Sequence, residues 1–215
     1  MPRGVFKVLA VSAAAARALG GAQSAMAPSA QLVAAAKAEG ELTVIALANS
    51  WCGYGNLIKN FKAKYGIKIN ELNPDAGSGD ELEAIKANKN NKGPQAPDVI
   101  DVGLSFGPQA KAAGLLQPYK VATWATIPDS SKDAEGYWYG DYYGVLAFQV
   151  NTDLVSKMPA DWSDLLKADY KNAVALAGDP RSANQAIQGV FAAGVAVGGG
   201  DPANASAAGL KFFSD

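Results

Sequence analysis

Leu42-Thr43-Val44-Ile45-Ala46-Leu47 is an unbroken apolar run of strand length, and the residues after it decide the fold. Residues 56–64 place Leu57, Ile58 and Phe61 on one helical face, with Lys59, Lys62 and Lys64 in solvent. Gly66 stands where a helix ends. Residues 67–72 then alternate like a strand. The rhythm repeats. Residues 80–89 carry Leu82, Ile85 and Lys86 at helical spacing, a polar loop fills 90–97, residues 99–102 read as a strand, and 108–113 as a helix closed by Gly114. Strand–helix–strand repetition predicts an α/β fold, a parallel sheet with helices on both faces.

Upstream, residues 32–38 suggest a short helix stopped by Gly40, and residues 1–27 read as a signal peptide. Arg3 and Lys7 give a positive start, residues 8–16 are apolar, and Ala25-Met26-Ala27 offers a small-x-small cleavage site. The apolar run is shorter than the roughly 20 residues a bilayer span needs. Downstream, residues 137–150 are rich in aromatic and β-branched side chains and read as extended backbone. Residues 148–152 are expected to be a hinge crossover between a complete-looking first lobe at 28–147 and a second unit at 153–215. In that unit, 162–166 predicts a short helix, 173–177 a strand, and 183–197 a helix stopped by Gly198-Gly199-Gly200. A further helix begins around Ala207. One clear strand is less than an α/β domain of about 100 residues uses. The second lobe is therefore expected to be partial, and the sequence truncated at its C-terminus.

Composition removes several classes of function. Hydrophobic residues make up 49% and charged residues 18% of the 215, enough for a sizeable core. The net charge of -1, with no clustered basic run, argues against nucleic acid as a partner. There is no histidine, so neither a Ser-His-Asp triad nor a Cys-His pair can form within the protein. The usual zinc sites, built from histidine or several cysteines, are excluded; Asp, Glu and Tyr oxygens would still suit a hard cation, but no metal or cofactor is expected. Cys52 is the only cysteine and has no internal disulfide partner.

In open α/β sheets ligands sit beyond the carboxyl ends of the strands, so the loops after each strand are the candidate ligand-binding elements. The first offers Ser50, Trp51 and Cys52. The second, Gly77-Ser78-Gly79-Asp80-Glu81, offers Ser78 and Gly79. Ser78 with Glu81 has capping-box spacing, and plain capping explains the same residues as well as an anion site does. The third offers Leu104 and Ser105. The fourth offers Arg181, Ser182 and Asn184. Ser182 and Gln185 repeat the capping spacing, and Arg181 has the fork that clamps a carboxylate, or is a surface arginine near a helix start. Tyr142 belongs to an aromatic cluster with Tyr137, Trp138, Tyr139 and Tyr143, of which most are expected in the core or hinge and one or two in the cleft.

Several motifs together resemble a known family. The stretch Leu32-Val33-Ala34-Ala35-Ala36-Lys37-Ala38-Glu39-Gly40-Glu41-Leu42-Thr43-Val44 is similar to the mature start of extracellular solute-binding proteins of bacterial ABC importers, family 1-like, whose members serve ferric iron, polyamines and phosphonates. Ala96-Pro97-Asp98-Val99-Ile100-Asp101-Val102, Ala113-Gly114-Leu115-Leu116-Gln117-Pro118-Tyr119 and Asn151-Thr152-Asp153-Leu154-Val155 follow in the family's order. So do 159–166, Tyr170-Lys171 and the run from Ala175-Leu176 to Asp179-Pro180-Arg181-Ser182. The resemblance implies a type II periplasmic-binding-protein fold, capture of one solute and delivery to an inner-membrane ABC permease. It implies a monomeric periplasmic protein and no enzyme. The tyrosine pair of the ferric members has no counterpart here, since Tyr142-Tyr143 stands at the wrong place. Arg181 favours an anionic or carboxylate-bearing solute, while Asp80, Asp101 and Asp141 keep a polyamine open. A secreted α/β hydrolase or transferase is the alternative, and no nucleophile with an orienting base supports it.

Overall fold

A computed structural model describes residues 28–214. The expected signal peptide lies outside the described residues. Helix α1, Ala30–Glu39, starts where the Ser29 hydroxyl accepts the Leu32 N–H, and ends at Gly40 in the left-handed region. Strands β1, Glu41–Ile45, and β2, Lys68–Leu72, pair in parallel through the crossover helix α2, Tyr54–Tyr65. A parallel pair requires such a crossover. Val44, Ile58 and Ile69 are buried together, with Leu42, Leu47 and Phe61 around them. Each full burial of this kind stabilises by about 1.5–3 kcal/mol. Leu57, expected on the buried face, is exposed.

Helix α3, Ser78–Ala87, and helix α4, Phe106–Ala112, form the second core. Leu82, Phe106 and Ala110 are buried there against Ile100, Val102, Leu115, Leu116 and Ile187. Ile187 comes from helix α5, Asn184–Val197, which packs against helix α6, Ala205–Ser214. Short 3₁₀ turns occupy Trp124–Thr126, Asp129–Ser131, Trp162–Leu166, Ala168–Tyr170 and Pro202–Asn204. Trp162 packs edge-on against Phe148 and Phe212, tying the extended segment to α6.

The protein is mixed helix and strand as expected, but the described sheet is smaller. Residues 99–102 make one parallel bridge, Val99 to Val44, in place of a strand. The Asp98 and Val99 N–H groups both reach the Thr43 carbonyl, and beyond them side chains take hydrogen bonds that a ladder would use. The Asp98 carboxylate accepts the Thr43 N–H at 2.8 Å, Glu81 accepts the Asp101 N–H at 2.9 Å, and Ser78 accepts the Gly103 N–H at 3.0 Å. Residues 173–177 are mostly exposed and irregular, and no strand among the described residues pairs with them; Leu176 packs against Gly189 of α5. Neither expected capping box forms. Gly77 precedes α3, and Asp80 accepts its N–H, while Ala183 precedes α5 without a side-chain cap. Ser78 and Glu81 are turned instead toward residues 101–103. Among the described residues no helix is long and apolar enough to cross a membrane.

Candidate functional site

Three stretches far apart in sequence meet at the start of α3. The Gly79 N–H donates to the Ser182 carbonyl at 3.1 Å. A Cβ on Gly77 would stand 3.2 Å from that carbonyl, and one on Gly79 would stand 3.0 Å from the Ser182 Cβ, so this approach of backbones needs small residues. Ser78 is buried and accepts from Gly103. The Asn184 side chain lies over the Gly103 Cα, in space that any Cβ would occupy. Two polar atoms here, Ser105 Oγ and Asn184 Oδ1, are buried and have no hydrogen-bond partner. Leaving such an atom unpaired costs about 1–3 kcal/mol, so it marks a place where a water or a ligand belongs.

One turn along α3, a second group begins. Glu81 is 1% exposed. Burial pushes its carboxyl up to about 8, helped by the charges of Asp101 and Asp80 and opposed by the Asp101 N–H. The Asp101 carboxylate accepts from the Tyr54 hydroxyl, and from the Tyr142 hydroxyl at 3.3 Å. Asp141 is exposed as a residue, but partial desolvation of its carboxyl, followed by the Asp101 charge, raises it. Burial and then Asp101 also hold both tyrosine hydroxyls well above their ordinary values. Trp51 meets Tyr142 edge-to-face at 5.6 Å, and Tyr54 at a tilt with ring centres 6.1 Å apart. Among the described residues, no lysine or arginine pairs with Glu81, Asp101 or Asp141.

Ser78, Gly79, Ser182 and Asn184 are thus brought together around Gly103, and Trp51 and Tyr142 around Asp101. Cys52, exposed and with a positive φ of 45, lies near Tyr142. Ser50 is exposed in the turn before α2, and Leu104 is exposed beside Ser105. The Arg181 guanidinium is exposed and is held by the Asp179 carboxylate of its own loop, which it draws down to about 2. Sequence reasoning gave Glu81 only a capping role, counted Tyr54 only as an aromatic of the first loop, and gave Asp101 and Asp141 weight only for a polyamine. The signal for Glu81 was its position: it shares the i, i+3, i+4 face of Ser78 and Leu82, where a carboxyl has no ordinary reason to be.

Residues 95–209 match the sequence profile of the bacterial extracellular solute-binding protein family. The chain belongs to that family. The family points to binding, not to turnover. Over 124 residues it is 31% identical to a candidate 2-aminoethylphosphonate-binding periplasmic protein of Salmonella typhimurium. That match covers 58% of this chain and 34% of the relative, so the chain spans about a third of the relative's length.

Proposed function

We propose that the protein is exported to the periplasm by residues 1–27, captures one small polar solute, and hands it to an inner-membrane ABC permease. In this reading 28–147 and 153–215 are two lobes of a type II periplasmic-binding-protein fold that close by motion at 148–152. The observation that supports it is the convergence of 78–79, 103–105 and 182–184 around two buried, unpartnered polar atoms. Such a site offers a hydroxyl and an amide side-chain oxygen that have no partner among the described residues. With no histidine in the sequence, it has no ordinary proton shuttle. The Salmonella relative is named for an aminophosphonate, a solute with an oxyanion at one end, which makes that compound the first to try.

The test is a thermal-shift and calorimetry panel on the full-length protein. It comprises 2-aminoethylphosphonate, phosphate, short carboxylates, amino acids, polyamines and sugars. At least one solute is expected to raise the melting temperature, with Ser105→Ala and Asn184→Ala weakening it by about tenfold each, the worth of one buried hydrogen bond. A panel in which no solute shifts the melting temperature overturns the receptor reading.

A further inference from the structure

We infer that Glu81 is a positioning residue that sets the stretch 101–105 for the solute. This rests on the receptor reading above, in which 103–105 belong to the binding site. Glu81 lies three residues after Ser78 in α3, so the two side chains leave one helix face about 4.5 Å apart along the axis. Both turn to the same backbone. Glu81 accepts the Asp101 N–H at 2.9 Å, and Ser78 accepts the Gly103 N–H at 3.0 Å. Those N–H groups are two residues apart, at most about 7 Å. The longer glutamate arm spans the difference. Two bonds from one helix face fix the register of the stretch, where a single bond would let it pivot.

The candidate site hangs on these two anchors. The Phe106 N–H closes a turn on the Gly103 carbonyl at 2.8 Å and begins α4, so residues 103–106 are pinned at both ends. Between those ends sits Ser105, whose Oγ is buried and has no partner among the described residues. The Asn184 side chain, which carries the other unpartnered oxygen, lies over the Gly103 Cα. The Asp101 carboxylate, which accepts from the Tyr54 and Tyr142 hydroxyls, belongs to the residue whose N–H Glu81 holds. A shift of the stretch off Glu81 therefore moves Asp101, Gly103 and Ser105 together.

Glu81 does this with no counter-charge among the described residues. The charged groups closest to it are carboxylates, Asp101 on the stretch it holds and Asp80 on its own helix. Glu83 and Lys86 of α3 pair with each other. The one charged side chain of α4, Lys111, is paired with Asp133 and Glu135. α5 carries none, and Arg181 before it is held by Asp179. From α2, the Tyr54 hydroxyl is taken up by Asp101. These surroundings favour a neutral carboxyl: burial first, then the charges of Asp101 and Asp80, raise it to about 8. Once ionised, the side chain must draw in water, at the expense of the fit between α3 and 101–103. The stretch is thus set at neutral pH and loosens as the pH rises through about 8.

Calorimetry on the full-length protein tests this from pH 6 to pH 9, with 2-aminoethylphosphonate and the other solutes of the panel. Parent and variant meet the same solute at the same pH, so the solute's own ionisation cancels in their ratio. At pH 6, Glu81→Gln keeps an acceptor for Asp101 and is expected to bind within about threefold of the parent. Glu81→Leu keeps the bulk, loses the acceptor and binds at least about tenfold weaker. From pH 6 to pH 9 the parent loses at least about fivefold in affinity relative to Glu81→Gln. Leu82→Val, in the same core, lowers the melting temperature and leaves the affinity within about threefold. Three results would each overturn the positioning role and leave the receptor reading standing: Glu81→Leu binding like the parent, a parent-to-Gln ratio flat with pH, or Leu82→Val weakening the solute as much as Glu81→Leu. If Glu81→Leu does not fold, the pH dependence of the parent-to-Gln ratio decides. Failure of every solute overturns both.

Discussion

Glu81 shows how far a single residue departs from what its neighbours in sequence suggest. A glutamate one turn into an amphipathic helix normally faces water, yet this one is buried and takes the Asp101 N–H. Its folded value of about 8 stands above the ordinary 4.5, so the folded state keeps a proton that the unfolded state releases. Its contribution is therefore fully present below about pH 4.5 and lost as the pH rises through about 8. Glu81→Gln, which keeps an acceptor for Asp101, is expected to melt several degrees above the parent at pH 8 and close to it at pH 4. Melting curves from pH 4 to 9 check this, and parallel parent and variant profiles would refute it. Gly103 is the other decisive residue. Gly103→Ala drives a methyl into the Asn184 side chain and should abolish solute binding while moving the melting temperature only a few degrees, because Asn184 can swing aside. Calorimetry with the best solute of the panel reads the first effect and a thermal scan the second.

At the scale of elements, helices were more legible than strands. α1, α2, α3, α4 and α5 lie within about three residues of where their periodicity placed them, because a helix completes its hydrogen bonds within its own segment. A strand borrows its partner. Residues 99–102 and 173–177 have strand composition, but side chains of α3 satisfy the first and no described strand pairs the second. The α5–α6 contact was not visible at all from periodicity. Gly194 admits the Ala205 carbonyl and Gly209 the Val190 carbonyl, so the helix backbones touch. Gly194→Ala and Gly209→Ala are each expected to destabilise by about 1–3 kcal/mol or more, by forcing the helices apart. Gly144→Ala, which meets nothing within 4 Å, should change little. Denaturant unfolding of the three variants compares them directly.

Over the whole molecule, the two halves are joined through the Gly79 N–H on Ser182, Asn184 over Gly103, and Ile187 in the α3–α4 core. Between them, residues 141–149 run exposed and without regular structure, with Tyr143 at 93% and Val145 at 88%. Chymotrypsin is expected to cut first at Tyr142 or Tyr143, and a bound solute to slow that cut several-fold, since Tyr142 belongs to the candidate site. Mass spectrometry of early fragments checks both parts; first cuts elsewhere, or no protection, would contradict the placement. The sequence by itself determined the family, the mixed α/β character, the helix positions and the absence of imidazole chemistry. These depend on local periodicity, composition and motif order, which survive without neighbours. Tertiary structure alone decided that Arg181 is held by Asp179, that Glu81 is buried, and that the Tyr54 and Tyr142 hydroxyls both reach Asp101. Those facts depend on which distant segments meet, and the spacing of residues along a sequence holds no such distances.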